Sequence, residues 1–489
     1  MTLNSKRNNR VRARLLGVFA VTLLIVAALA WQRPPVATAQ QGPAIPMGST
    51  VALTGARIID GTGRPPVENA TLVIRAGRVQ AVGAGVAVPQ GAIRIDVAGK
   101  TIIPGLISAH AHEVIQKSND PKFAALWFDE RQKDPVRTQM LDLLKQEAVY
   151  GVTTIFALGE QPNRGFMGPS DNAELKKIRD EQAREGLDRT RVFYAGMPAT
   201  ESAKTGADAR KNVQDLVARD ADIIKLTLND KPNPEIYTEA IDEAKKHGLK
   251  TVTHLAALDV AKGVIKAGGN GLAHSVRDKD VDAELIAMMK ASGAFQIPTL
   301  TQEQSNFMWA STPAFVHDPF FLNHASVHKR KLEVLLSPEN QRMWARSPGT
   351  ANSRRGLAQA MRNVKLLHDA GIPIAMGTDS GGRMDAGRFE GFMEYEEMDL
   401  YFQSGLTEMD IISSATGVAA RMMGFDKELG TLEPGKWADF IVLNANPLDN
   451  FRNIRQTNAV WIAGHPLPRT NYAGGPLPDP VRIMPSGTN

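Results

Sequence analysis

A chain of 489 residues with 57 basic and 52 acidic side chains has a formal net charge of +5, and the location of that excess decides what it implies. Residues 1–39 hold six basic side chains (Lys6, Arg7, Arg10, Arg12, Arg14 and Arg33) and no acidic one, leaving 51 basic against 52 acidic and a net charge of −1 in the remainder. That balance excludes the broad basic surface on which nucleic acid or an anionic membrane is recognised. The absence of cysteine excludes disulfides and thiolate metal sites, leaving histidine and carboxylate as candidate ligands.

In chain order, the basic start is followed by an uncharged run, 15–31, and then by Ala37-Thr38-Ala39, a small-x-small pattern that a signal peptidase cuts. Residues 1–39 therefore read as a signal peptide and the protein as exported, periplasmic or secreted; an uncleaved N-terminal anchor is the alternative and the only membrane contact implied. About 450 mature residues suit one large domain and a smaller one. Short β-type runs broken by glycine fill 50–100 and return near 439–463, so 40–100 and 430–475 together read as a small β-sandwich domain, with 476–489 as a tail.

Between these ends, strand and helix signals alternate. Strands are predicted at 101–108, 152–158, 191–197, 222–228, 250–255, 271–275, 294–300 and 372–378, short, apolar and β-branched as strands covered on both faces are. Helical periods separate them at 234–247, 258–267, 282–291 and 357–370, with Gly248, Gly293 and Gly371 at C-cap positions. Eight such units predict an α/β fold, a (β/α)8 barrel over 101–429. Residues 301–353, with Trp309, Phe315, Phe320, Phe321 and Trp344, are too long for a loop and read as a helical insertion.

Five polar pieces stand in or just past predicted strands. His110 and His112 are two apart on a strand and so share a face, where both imidazoles reach one ion. Lys225 lies inside Ile223-Ile224-Lys225-Leu226, where a charged amine is costly without a partner or a task. His254 and His274 end the fifth and sixth strands, and Asp379 in Met376-Gly377-Thr378-Asp379-Ser380 closes the eighth. Each alone is ordinary, since lone histidines cap surfaces and aspartates turn loops. Together they send polar groups from strands one, four, five, six and eight to the C-terminal rim, where barrel enzymes collect their reactive groups.

This ordered set, His110/His112, Lys225, His254, His274 and Asp379, resembles the amidohydrolase superfamily, and within it the imidazolonepropionase-related and Xaa-Pro dipeptidase-like branch. The flanks agree: Ala56-Arg57-Ile58-Ile59-Asp60-Gly61 and Gly99-Lys100-Thr101-Ile102-Ile103-Pro104-Gly105-Leu106 look like the family's entry to the first barrel strand. Gly430-Thr431-Leu432-Glu433-Pro434-Gly435-Lys436-Trp437-Ala438-Asp439 looks like its return to the small domain. Two departures stand out. Ser108 occupies the first position of the family's Asp-x-His-x-His, and Tyr395 and Glu397 stand where dipeptidase-like members often carry His-x-Glu.

The resemblance implies a hydrolase of a C–N bond in an amide, dipeptide or cyclic amide, acting on a small molecule. His110, His112 and Asp379 would hold one metal and His254 and His274 a second, the pair being two Zn2+ bridged by a carboxylated Lys225. Asp379 would move the proton from a metal-activated water to the leaving nitrogen, with His274 beside it as a second catalytic group. Arg277, three residues past His274, is a candidate clamp for a substrate carboxylate, against the plainer reading that Arg277-Asp278-Lys279-Asp280 pairs with itself; Tyr395 is a further substrate candidate. A mononuclear deaminase or imidazolone-type hydrolase, and a barrel that binds without catalysis, are the competing readings. N-terminal sequencing of the cell-envelope fraction should find a chain beginning near Gln40; an intact chain in the membrane would support the anchor.

Overall fold

The computed structural model describes residues 45–116, 136–159, 169–323, 329–383 and 387–468; the leader and the tail read from sequence lie outside them. The described chain opens with β1 (Thr50–Ile58), β2 (Val67–Arg75) and β3 (Arg78–Ala84), an antiparallel meander, and β4 (Ile93–Asp96), which runs parallel to β1. Ala76 and Gly77 join β2 to β3 with φ of 50° and 76°, the positive pair of a hairpin turn whose twist matches its strands. Val51 and Leu53 and, after a register shift between Thr54 and Ala56, Ala56 and Ile58 enter one apolar cluster with Leu72, Ile74, Ile102, Phe440 and Trp461, as period-two patterning on either side of a bulge requires.

The strand predicted at 101–108 is divided at Gly105. Its first half, β5 (Thr101–Pro104), pairs with β1 and with β14 (Phe440–Leu443) from the far end of the chain. Its second half becomes β6 (Leu106–Gln116). β15 (Thr457–Ile462) and β16 (His465–Pro466) complete an eight-stranded sheet. Hydrogen bonding links these strands into one sheet, because β5 joins strands from both ends of the described chain.

From β6 to β13 the strands are parallel. β7 (Val152–Ala157), β8 (Arg191–Tyr194) and β13 (Ser380–Arg383) flank β6 in the order β13-β6-β7-β8. β9 (Ile224–Thr227), β10 (Thr251–His254), β11 (Gly271–Ala273) and β12 (Phe295–Ile297) form a second sheet in chain order. Helices lie between them where the periodicity placed them: Pro234–Lys246 starts at an Asn233 cap with proline at its first position, and Ala283–Ser292 runs from an Asp282 cap to Gly293 in the left-handed conformation. The described part of the insertion is mostly helical, from Leu300–Ser305 to Pro338–Arg346. The helix predicted at 357–370 begins earlier and runs Pro348–Asp369.

The eighth predicted strand, 372–378, is not regular. It makes one parallel bridge, Gln296 to Ile374, and the regular strand starts only at Ser380. Pro373 has no N–H to give, and the Met376 N–H leaves the ladder for the Ser414 carbonyl. The segment still bonds to both sides: the Ala375 N–H donates to Gln296 O (2.9 Å) and the Ala109 N–H to Met376 O (2.7 Å). On the other side, the Asp222 N–H donates to Tyr194 O (3.0 Å) and the Ala199 N–H to Lys225 O (2.9 Å).

One buried ion pair joins the parallel strands to the eight-stranded sheet. Arg191 on β8 reaches Asp439, next to β14, at 2.8 Å, with side chains 2% and 6% exposed. Asp439 also accepts the Ala463 N–H, and the Arg191 guanidinium lies 4.4 Å from the Trp437 ring centroid. Removing one member of such a pair leaves an uncompensated buried charge. Arg191→Met should therefore lower stability by about 3–5 kcal/mol in urea unfolding; a loss under about 1 kcal/mol would show that Asp439 finds another partner.

Candidate metal centre

The backbone that presents the site is strained where it matters. His274, just past β11, has φ 63°, Thr299, just past β12, has φ 49°, and Asp379 has φ 57°. Left-handed conformations cost non-glycine residues of order 1–3 kcal/mol and persist only where neighbours enforce them. At Asp379 the enforcement is visible: the Thr378 and Asp379 N–H groups both donate to His110 O, at 3.0 and 2.9 Å. Gly377 and Gly381 allow this approach, since a Cβ on Gly377 would stand 2.7 Å from His110 N and one on Gly381 1.8 Å from His112 O.

This apposition brings the side chains together. Nε2 of His110 and of His112 lie 3.2 and 3.0 Å from Asp379 Oδ1. Lys225 Nζ, from β9, stands 3.1 Å from His110 Nε2. The His274 ring centroid is 5.1 Å from that of His110 and 4.3 Å from that of His254. All six metal candidates read from the sequence thus meet at one place, and His110, His274 and Asp379 offer ligand atoms within 4.8 Å of one another. Ligand bonds of about 2.0–2.2 Å in a tetrahedron put neighbouring ligand atoms roughly 3.3–3.6 Å apart. The imidazole-to-carboxylate distances fall just short of this, so a divalent ion fits with a small outward movement.

Electrostatics favour cation binding. Burial, reinforced by the Lys225 charge, lowers the His110 pKa to about 3 and that of His254 to about 4; burial and the neighbouring His254 hold His274 well below its usual value. The imidazoles are therefore neutral, with lone pairs to offer. Burial also pulls Lys225 down to about 7 against the attraction of Asp379. Burial would raise the Asp379 carboxyl, but the Arg388 guanidinium and the two imidazoles overcome it and hold the pKa well below the carboxylate range.

Three further groups support the site, and two of them, Arg388 and Thr299, had no signal in the sequence. Arg388, buried, reaches Asp379 Oδ2 at 2.5 Å. Thr299 Oγ1 lies 2.6 Å from His274 Nδ1 and donates to Pro298 O, so the imidazole is the donor in the first contact and Nε2 keeps its lone pair. Glu397 accepts from the Leu300 N–H, the Thr301 N–H and Thr301 Oγ1 at 2.7–2.8 Å. Its negative charge thus holds the first turn of helix Leu300–Ser305, next to Thr299, even though burial pushes its pKa up to about 7.

The two substrate candidates are placed differently. Tyr395 is buried and its hydroxyl donates to Tyr150 O at 2.5 Å, beside Phe320, so it packs the helix Met393–Gln403 and does not face the histidines. Arg277 does not pair within its own charge run; its guanidinium meets Glu303 at 2.8 Å. It lines a polar cavity of about 730 Å3 with Gln302, Glu303, Asn306 and Arg355, which none of the six metal candidates borders.

A sequence profile of the amidohydrolase family matches residues 101–467. The chain belongs to the amidohydrolase family. It is a metal-dependent hydrolase acting on C–N bonds. Among relatives of this amidohydrolase, a 5-methylthioadenosine/S-adenosylhomocysteine deaminase of Bacillus cytotoxicus is 24% identical over 376 residues, 72% of this chain and 74% of the relative. Its fold resembles that of an Xaa-Pro dipeptidase with bound methionine (TM-score 0.64, 19% identity, covering 86% of this chain and 99% of that one). It also resembles that of A. niger ochratoxinase (TM-score 0.62, 18% identity, covering 86% and 96%). The Thr299 contact yields a direct expectation for the amidohydrolase: Thr299→Val should weaken Zn2+ binding about 10–100-fold in a chelator competition titration, whereas unchanged affinity would show that His274 needs no such partner.

Proposed function

We propose that this amidohydrolase binds two divalent ions, zinc foremost, and hydrolyses an amide, dipeptide or cyclic amide bond. The observation that carries the reading is the convergence of Asp379 on His110 and His112 and of Lys225 on His110, each within hydrogen-bonding distance, with His254 and His274 alongside. His110, His112 and Asp379 would hold one ion and His254 and His274 the other. Lys225 would bridge them as a carbamate, formed when its neutral amine adds to the carbon of CO2 and loses one proton. This converts a buried cation into an anion with two ligand oxygens.

When bound, the ions would supply a Lewis acid for the scissile carbonyl and lower the pKa of a water towards neutrality. Asp379 is the group placed to take a proton from the attacking water and return it to the leaving nitrogen, its second oxygen being held by Arg388. The neutral imidazoles lend their lone pairs, and the deep burial of the cluster excludes bulk water from the developing charge. Around this site we propose a closed eight-stranded barrel over 101–429. The hydrogen bonds at both junctions between the parallel sheets support closure, as does one apolar cluster joining Ile107, Phe156, Val252, Ala273, Phe295 and Ala375. A small β-domain from 40–100 and 430–475, and export after cleavage at Ala39, complete the proposal.

A second reading, a mononuclear deaminase, draws support from the compact His110, His274, Asp379 group and the deaminase relative; Lys225 then stays an amine. Metal analysis separates the two, near two ions per chain against near one. For the first, Lys225→Ala should lose at least one ion and most activity on a panel of dipeptides, N-acyl amino acids and lactams. A short carboxylic acid with excess Zn2+ should restore part of it, and Lys225→Arg should fail because guanidinium takes up no CO2. A fully metallated, active Lys225→Ala protein would sink the two-metal reading.

A further inference from the structure

Behind the metal candidates lies a carboxylate with no counter-ion. Glu394, in the first turn of helix Met393–Gln403, is fully buried and makes no ion pair among the described residues. Its Oε1 accepts from Thr378 Oγ1 at 3.0 Å and from Ser380 Oγ at 3.4 Å, and Ser108, also fully buried, packs its hydroxyl against the same carboxyl. Among the described residues, Glu394 Oε2 has no hydrogen-bond partner. Thr378 and Ser380 are the two neighbours of Asp379, and Ser108 is two residues before His110 on β6. One carboxyl therefore touches both sides of the turn that carries Asp379 and the strand that carries the histidines.

The physics of this arrangement is specific. A buried carboxylate without a cation costs several kcal/mol or shifts to its neutral form, so a well-packed apolar side chain would serve stability better. The cost is offset where a cation stands nearby, and the adjacent cluster is built to hold one. Ser108 sits where the resemblance to the family has an aspartate, and a serine hydroxyl carries no charge and does not reach as far. We propose that Glu394 is the positioning carboxylate of the metal centre, supplying from the helix after β13 the negative charge that an aspartate at position 108 would supply from β6. It grips the hydroxyls on either side of Asp379, holds that residue in its left-handed turn, and biases the site towards divalent cations. This inference rests on the metal-centre reading above.

A charge-relocation cycle tests it: wild type, Glu394→Ala, Ser108→Asp and the double variant, each titrated with Zn2+ against a chelator. Glu394→Ala should weaken Zn2+ about 10–100-fold, as loss of an outer carboxylate does, and the double variant should recover to within about threefold of wild type. A purely structural role predicts no recovery, because aspartate on β6 refills no space on the helix. Folded Glu394→Ala protein with wild-type Zn2+ affinity, or a folded double variant without recovery, overturns the proposal. If Glu394→Ala gives no cooperative melt, Glu394→Gln, which keeps the shape and loses the charge, takes its place with the same criteria. The melting temperatures of the metal-free proteins read the juxtaposition separately. Ser108→Asp should lower Tm in the wild-type background, where two buried carboxyls would meet, and lower it less in the Glu394→Ala background; additive shifts overturn the proposal. A wild-type chain that takes up no Zn2+ overturns the metal-centre reading, while the Tm cycle still decides the contact.

Discussion

A single buried carboxylate shared three ways organises the rim of this protein. Asp379 gives Oδ1 to His110 and His112 and Oδ2 to Arg388, and its backbone is held left-handed by two N–H bonds to the carbonyl of one of those histidines. Because the turn is glued to β6, side chains from the two ends of the parallel-strand region cannot drift apart. The strain at Asp379 is offset by contacts that also fix its direction. His274 and Thr299 repeat the device one strand apart, which leaves the rim preorganised before any ligand enters.

Charge at the site is balanced so that it can be rearranged. Two cations, Arg388 and Lys225, face the Asp379 carboxylate among imidazoles that burial keeps neutral. Neutral histidines do not resist an incoming cation. Of the two cations, the buried amine of Lys225 is the one that can give up its charge, and a pKa drawn down to about 7 makes its opposition to a metal weak near neutrality. Glu394 lies against the same turn, accepting from the Thr378 and Ser380 hydroxyls on either side of Asp379.

Long-range packing keeps these groups in place. The chain passes from the eight-stranded sheet into β6 across Gly105, whose N–H donates to Asp439 O, while the Asp439 side chain is held by Arg191 from β8. The start of the first histidine-bearing strand is thus anchored to a sheet completed by residues more than 300 positions later. On the other flank, Glu397 holds the first turn of the insertion and with it Thr299, whose hydroxyl fixes the His274 ring. The aromatic side chains of the insertion pack on the same helix, with Phe315 and Phe321 at 5.0 and 4.8 Å from Phe392.

Much of this was legible in the sequence, for a local reason. Strand and helix periods, proline and glycine punctuation and the i, i+2 spacing of His110 and His112 act over a few residues. They located six of the parallel strands and three of the four predicted helices to within a few positions, and they singled out the six side chains that the fold gathers. Residue order alone also placed those candidates at strand ends. What escaped depends on partners far apart in the chain. The division at Gly105 follows from pairing with β14, the irregular path of 372–378 from a proline and from Ser414, and the roles of Arg388, Thr299 and Glu394 from contacts that no spacing rule encodes. Tyr395 and Arg277 were assigned to substrate because their positions along the chain suit it. The fold commits their polar groups to Tyr150 and Glu303 instead, since a buried hydroxyl or guanidinium must find a partner wherever packing supplies one. Which polar side chains stand at the strand ends was therefore written locally; how each is aimed was decided by the tertiary structure, because burial and hydrogen-bond direction exist only after distant segments meet.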